Sequence, residues 1–340
     1  MSATPVLLDY GSGGKAAQRL ISELFVRHFA NPILEAMDDA ALLGRLRGAV
    51  VMSTDGYTVD PVEFPGGNIG SLAVHGTVND VSMLGARPRF LTCAYIIEEG
   101  LDMNLLERVV RGMGEAARRA DVRIVGGDTK VVPRGAADKI FITTTGIGEV
   151  ILEPAPSGSR AAPGDAILIS GSMGDHGLTI LSRREGLSLD SGVMSDSAAL
   201  NRMVEALITE VGDVHVLRDP TRGGLATTRN EIAGPSGVVC AVNETAIPVK
   251  DGVAAGCSVL GLDPLYLANE GKLICVLPEN KSAAALAVMR GFSEGRDAAR
   301  IGAVEAAGAK SRAGQVLLQT PLGGRRLLGM LEGEQLPRIC

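Results

Sequence analysis

Acidic residues recur beside Gly, Ser or Thr in a series of short stretches: MDDAA (Asp38, Asp39), STDGY (Asp55), VNDVS (Asp80), GGDTK (Asp128) and DPTRGG (Asp219). Hard oxygen donors drawn from several segments are what Mg²⁺ takes when it bridges carboxylates to the phosphates of a nucleotide. The same residue types also make turns and helix caps, because an Asp side chain accepts hydrogen bonds from the backbone that follows it. Any one stretch leaves both readings open, and the set taken together favours a nucleotide site.

GSGGKAAQRLI (Gly11 to Ile21) is a glycine-rich loop running into a helical pattern. Its backbone N–H groups can cradle phosphates at a helix N-terminus, with Lys15 as a point charge. The spacing is not that of a P-loop, and a flexible N-terminal arm is the alternative. GGDTK, after the short strand VRIV, is either a phosphate loop or a tight strand-end turn, and its Lys130 either an electrophile or a solvated cation. In LYLANEGKLICV, Glu270 precedes Gly271 and a strand. A carboxylate there either points into a cleft, where burial raises its pKa, or sits in a surface turn. His28, His75, His176 and His215 show no ligand or triad spacing, and no G-x-S-x-G elbow occurs, which excludes the familiar hydrolase and zinc patterns. Cys340 closes the sequence in PRIC. A C-a-a-X lipidation box would need the Cys four residues from the end, so this thiol is read as a nucleophile or tethered carrier beside Arg338, with an incidental cysteine as the alternative.

These residues have to be positioned by ordinary globular elements. The chain has 340 residues, and at roughly 150 residues per domain this favours two domains. Hydrophobic residues make up 46% and charged residues 21%, which supports a real core; aromatics at 3%, no Trp and 44 Gly point to small-residue α/β packing. With 33 Lys and Arg against 39 Asp and Glu, the net charge of −6 argues against nucleic acid as partner. No stretch approaches the roughly 18 uninterrupted apolar residues of a membrane span, and MSATPVLLDY has no basic signal region, so a soluble cytoplasmic protein is expected. VVMSTDGYTV, FLTCAYII and KIFITTTGIGEV read as strands, and Leu105, Leu106, Val109, Val110, Met113, Ala116 and Ala117 fall on one helix face. EPAPSGSRAAPGD (153–165) is the best domain boundary. Beyond it, AILIS, VVCAVNE and KLICVLP read as strands, and Leu200 to Val211 and SAAALAVMRGF as helices. Cys93, Cys240, Cys257 and Cys275 sit in apolar surroundings with no C-x-x-C spacing and are expected to be inert core residues.

Assembled in this way, the sequence resembles the HypE family of hydrogenase maturation proteins, within the superfamily of aminoimidazole ribonucleotide synthetase, selenophosphate synthetase and thiamine monophosphate kinase. The resemblance rests on GSGGKA, DDAA, STDGYTVDP, HGTVNDVSMLGARP, GGDTKVV, DPTRGGLATT, NEIA, LYLANEGK and PRIC, spread over nearly the whole chain. DDAA, ND-x-S-x-x-G and GGD mark the superfamily, whereas PRIC is specific to the HypE branch; Arg229 in TTRNEIA is a minor variation.

The resemblance implies an α+β fold of two aminoimidazole-ribonucleotide-synthetase-like domains. Residues 1–152 would form a mixed sheet with helices that binds ATP and makes a homodimer through its sheet, 153–324 a C-terminal α/β sandwich, and 325–340 a flexible tail. ATP and Mg²⁺ would lie between the domains. The partner carbamoyltransferase HypF would place a carbamoyl group on Cys340. The protein would then dehydrate that group to a thiocyanate with ATP, and pass cyanide to the HypC–HypD complex for the iron of [NiFe] hydrogenase. Matched motif to motif, Glu270 is the base and Lys130 the cation near the carbamoyl oxygen. Asp39, Asp55, Asp80, Asp128 and Asp219 become metal or phosphate-site residues. Gly11, Ser12, Gly13, Gly14, Lys15, Asn79, Gly126, Gly127 and Thr129 become nucleotide-binding residues. The chemistry agrees: oxide is not a leaving group, so the oxygen must first become phosphate, and a base must remove the nitrogen protons. Ten extended residues from Leu331 span roughly 33 Å, enough for an outward and an inward tail, with Gly323, Gly324 and Gly329 absorbing the change. The rival readings are a small-molecule kinase or synthetase of the same superfamily, active without Cys340, and a nucleotide-sensing scaffold with no turnover.

Overall fold

The computed structural model describes residues 4–187, 192–308, 311–331 and 336–340. The first domain begins with helices α1 (Lys15–Leu20) and α2 (Arg27–Phe29). There follow β1 (Val50–Tyr57), the short pair β2 (Glu63–Phe64) and β3 (Gly67–Asn68), α3 (Ile69–Met83), β4 (Ala86–Glu98), α4 (Met103–Ala120), β5 (Arg123–Val132) and β6 (Ile140–Val150). Its main sheet has the order β1-β6-β4-β5, antiparallel except for the parallel pair β4–β5, which is the mixed sheet the resemblance implies.

The two large helices of this domain form for different reasons. α4 is capped by Asp102 and shows a clean apolar stripe, Leu106, Val109, Val110, Met113, Ala116 and Ala117, turned to the sheet. α3 opens on a reciprocal Asn68–Ser71 capping box and is then buried on nearly every side, so its sequence carries no periodicity. Gly70 lets it approach α4 closely, since a Cβ there would overlap the Val109 carbonyl.

The second domain contains β7 (Asp165–Ile169), α5 (Asp175–Arg184), α6 (Asn201–Ala206), β8 (Val216–Arg218), α7 (Gly224–Ser236), β9 (Val239–Asn243) and α8 (Asp251–Leu260), then β10 (Ile274–Pro278), α9 (Ser282–Arg290), β11 (Ala299–Glu305), β12 (Val316–Gln319) and β13 (Arg325–Leu327). Its sheet runs β13-β12-β9-β11-β7-β10-β8, antiparallel except for β9–β12. β7 is buried on both faces: Ile167 and Ile169 join one apolar cluster, Ala166 and Leu168 the other. Continuous apolar strands such as AILIS and ICVL follow from that sandwiching.

One boundary moves. Arg325–Leu327 pairs with β12 and Leu328 is buried, so the second domain runs past residue 324 and the tail begins after it. Gly329 precedes the described end of that stretch, whereas Gly333 lies outside the described residues. Leu336 to Cys340 return to the first domain, where Ile339 is buried in its core. Among the described residues no helix is long and apolar enough to cross a membrane.

Candidate active site

The cleft between the two sheets collects four carboxylates and one thiol. Asp55 stands on β1 and Asp80 on α3, in the first domain; Asp219 follows β8 and Glu270 precedes β10, in the second. Ser53 donates to Asp80 Oδ2 at 2.8 Å. Burial, and then a hydrogen bond with Asp80, push the Asp55 carboxyl up to about 7. Burial and the Asp80 charge push Asp219 up to about 7 as well. Glu270 is 3% exposed, and burial followed by the charges of Asp219, Asp196, Asp80 and Asp55 holds its carboxyl well above the usual range. Asp219 Oδ2 and Glu270 Oε1 are buried with no hydrogen-bond partner among the described residues. Four clustered carboxyls, two of them with a buried oxygen unpartnered among the described residues, fit a hard cation bound by oxygen donors. Among the described residues no three such groups stand close enough to enclose a metal ion by themselves.

Cys340 faces this cluster. Burial, then the Glu270 charge, push its thiol up to about 12, while Arg222 works in the opposite direction. A cavity of about 330 Å³ opens beside it, lined by Gly56, Arg222, Gly223 and Cys340 among others, which leaves room for a group carried on the sulfur. The tail is seated by its main chain. Thr58 N–H donates to the Cys340 main-chain oxygen at 3.0 Å and Asp60 N–H to that of Arg338 at 3.3 Å. The Arg338 side chain donates to the Thr58 carbonyl at 2.8 Å, pairs with Asp138 and lies over the Phe141 ring. The other four cysteines are buried, as expected of core residues.

The glycine-rich motifs assemble elsewhere. Gly11, Gly13, Asp38, Asp39 and the run Gly126 to Lys130 line a pocket of about 290 Å³ at the β5 edge. Gly11 is required there, because a Cβ would collide with the backbone of Val131. Ser12 bonds the Asp9 carbonyl, Gly14 is the N-cap of α1, and Lys15 opens that helix. Lys130 Nζ lies 2.8 Å from Asp128, whose carboxyl it holds below the usual range, and Thr129 N–H donates to the same Asp128 at 2.8 Å.

Of the five Asp residues expected at one metal or phosphate site, one chain thus joins Asp55, Asp80 and Asp219 in the cleft and leaves Asp39 and Asp128 in the other pocket. Asp55 pairs with Thr144, Thr144 with Cys93 and Cys93 with Gly127, so the two groups occupy the same rung at opposite edges of the sheet. Three strand spacings put them about 14 Å apart. Lys130 stands on β5 in the second pocket, whereas Glu270 comes from the second domain and lines the cleft. Asn79, expected at the nucleotide, uses its side chain as an interdomain joint: its amide donates to the Ala198 carbonyl at 3.0 Å and accepts from Leu200 N–H at 2.8 Å.

Four residues of the site carry no signal in the sequence reading: Asp196, His176, Arg184 and Arg222. Asp196 accepts the N–H groups of Glu270 and Gly271 and faces Lys272 Nζ at 3.5 Å. Arg222 belongs to DPTRGG, where the Asp is the plainer ligand for a cation. His176 belongs to DHG, which follows a Gly-rich loop after the strand AILIS, and that context is the one clue to it.

Comparison with known proteins identifies the family. Residues 37–150 match the AIR synthase related protein N-terminal domain and 162–314 the corresponding C-terminal domain. The carbamoyl dehydratase HypE of Cupriavidus necator is 52% identical over 98% of this chain and 94% of its own length. A crystal structure of the hydrogenase maturation protein HypE in complex with ATP superposes with a TM-score of 0.96 at 70% identity, covering 98% of this chain and 99% of that one. A HypE–HypF complex gives a TM-score of 0.80 at 46% identity, covering 92% and 99%. The chain belongs to the HypE family of carbamoyl dehydratases, within the AIR synthase related proteins.

Proposed function

We propose that this chain is an ATP-dependent carbamoyl dehydratase that works on its own Cys340. The observation that carries the reading is the seating of the Cys340 thiol against buried Glu270, with an open cavity at the sulfur. A thiocarboxamide, S–C(=O)–NH₂, becomes S–C≡N when its oxygen leaves and both nitrogen protons are lost. ATP with Mg²⁺ supplies the phosphoryl group that converts the oxygen into a leaving phosphate, and the residues fitted to the cation in the cleft are Asp55, Asp80 and Asp219. Glu270 takes one nitrogen proton as the oxygen is phosphorylated, and the departing phosphate carries off the other: a carboxylate ringed by acidic neighbours is a strong base once ionised. Arg222 balances charge at the sulfur side. Lys130, with Gly11 to Lys15 and Gly126 to Thr129, receives the anionic end of the nucleotide, and Asp39 and Asp128 stand beside it.

A homodimer accounts for the separation of the two pockets. The sheet face away from α3 and α4 leaves Val50 60% and Met52 69% exposed, and β1 and β5 are unpaired edges. A second copy covering that face would bring its β5 pocket toward the Asp55 cleft. The carbamoyl donor is a HypF-type carbamoyltransferase, the acceptor of cyanide a HypC–HypD complex, and the setting the cytoplasm; an outward tail meets the partners and the inward tail reacts.

Intact-mass measurement tests this. After incubation with the carbamoyltransferase the chain gains one carbamoyl group on Cys340, and on addition of ATP and Mg²⁺ it loses one water and releases one phosphate. Phosphate release without loss of water, or turnover of a small amide by the chain lacking Cys340, would favour the kinase or synthetase reading instead.

A further inference from the structure

The polar contacts that α5 makes with the described tail go to its main chain, while Ile339 and Leu336 pack in the apolar clusters of Ile180 and Leu178. Arg184 donates from one Nη to the Pro337 carbonyl at 2.6 Å and from the other to the Arg338 carbonyl at 2.7 Å. The same guanidinium reaches the Asp60 carbonyl of the first domain at 2.8 Å. His176 Nε2 lies 2.8 Å from the Ile339 carbonyl. A carbonyl only accepts, so Nε2 carries the proton. Burial keeps the ring neutral by pushing its pKa down, and Nδ1 therefore accepts from the Ser195 hydroxyl at 2.7 Å.

Ser195 begins the segment that fixes Glu270. Its neighbour Asp196 accepts the Glu270 and Gly271 N–H groups at 3.2 and 3.3 Å. Ala198 N–H donates to the Glu270 carbonyl at 3.3 Å. Gly271 packs so tightly on the Asp196 carbonyl that a Cβ would overlap it. On the other side His75, from α3, holds Ser197 at 2.9 Å.

We propose that His176 is a positioning residue for the dehydration: one buried ring ties the residue before the acceptor sulfur to the segment that carries the base. Cys340 and Glu270 are then set in register by a single side chain. The tail is held by the main-chain oxygens of Pro337 to Cys340, by the Arg338 side chain and by buried Ile339, and the sulfur is in none of these contacts, so thiol, thiocarboxamide and thiocyanate tails seat alike. The inference rests on the roles proposed for Cys340 and Glu270.

The two ends of the ring can be tested separately. His176→Asn places its amide oxygen near Nδ1 and keeps the acceptor for Ser195; His176→Gln places its amide nitrogen near Nε2 and keeps the donor for Ile339. Two rates are read on the full-length chain: alkylation of Cys340 by iodoacetamide without nucleotide, followed by peptide mass, and single-turnover loss of water from pre-carbamoylated protein. His176→Asn should speed alkylation about tenfold and slow conversion by a similar factor, the scale set by one lost buried hydrogen bond. His176→Gln and Ser195→Ala should leave alkylation slow yet still reduce conversion about tenfold, since they loosen only the base segment. Should His176→Asn not fold, Arg184→Gln must by itself raise alkylation. Wild-type alkylation in both His176→Asn and Arg184→Gln, or wild-type conversion in Ser195→Ala, overturns the proposal. Alkylation needs neither carbamoyl group nor ATP, so a failure of the dehydratase reading itself leaves that arm of the test standing.

Discussion

The two edges of the first-domain sheet carry opposite electrostatics. At the β5 edge charge is exposed and paired: Lys130 and Asp128 lie 2.8 Å apart with side chains 62% and 59% exposed. Facing the β1 edge across the cleft, the second-domain carboxyls of Asp219 and Glu270 are buried: among the described residues each holds an oxygen without a donor, and burial with acidic neighbours raises both. An exposed ion pair is worth only about 0–1 kcal/mol, so Lys130 exchanges Asp128 for a phosphate at little cost. A buried carboxyl gives up its proton only against that desolvation, which suits a group whose task is to hold and move a proton. In the proposed function one edge binds an anion and the other does chemistry on a neutral group.

The largest expected effect falls at the β1 edge. Cys340→Ala should yield no thiocyanate while nucleotide binding at the β5 edge stays unchanged, checked by intact mass and by titration with Mg-ATP. A carbamoyl adduct on Cys93, Cys240, Cys257 or Cys275 would break the division of labour. Next, Glu270→Gln should slow conversion of the thiocarboxamide by about 10²–10⁴, the usual cost of a lost general base, with carbamoylation of Cys340 normal in the same assay. At the β5 edge, Lys130→Ala should weaken Mg-ATP binding by roughly 10- to 100-fold, the scale of a hydrogen bond to a charged group, and leave iodoacetamide alkylation of Cys340 untouched.

A smaller effect is one of pH. Asp55 is raised from 3.8 to about 7, so between those values the folded chain holds more protons than the unfolded one, and stability from this group falls as pH rises through that window. Asp55→Asn removes the penalty; its Tm should exceed that of the unsubstituted chain by a few degrees at pH 8 and match it at pH 4. The smallest effect on activity lies outside both edges. Arg229, on α7, is fully buried with all three guanidinium nitrogens unpartnered among the described residues, and burial pushes its pKa down to about 10. Arg229→Leu should raise stability by about 1–4 kcal/mol in denaturant titration with conversion rates unchanged.

What the sequence reveals differs between the two edges as well. Glycine loops and exposed charge leave local patterns, so GSGGK, DDAA and GGDTK point to a phosphate pocket by residue type and spacing. α4, with one wet face, is equally plain. α3 is not, because a helix buried on all sides has no periodicity to detect. The seat of PRIC is hidden for another reason: His176 and Arg184 grip carbonyls, and a main-chain contact imposes no residue type on the segment it holds. The separation of Lys130 from Asp55 is equally unreadable, since strand order rather than motif spacing decides which edge each occupies.

The central claim, that the two edges act together only across two copies of the chain, is tested most directly by subunit complementation. Lys130→Ala and Glu270→Gln proteins are unfolded together, refolded as a mixture, carbamoylated and assayed for loss of water at an ATP concentration that saturates the unsubstituted chain but leaves Lys130→Ala largely empty, so that each is strongly impaired alone. If each reaction centre takes Glu270 from one copy and Lys130 from the other, every mixed dimer regains one intact centre, and the random mixture should recover about a quarter of the unsubstituted activity. No recovery, with mixed dimers demonstrated by native mass spectrometry, would contradict the account and return both residues to a single chain.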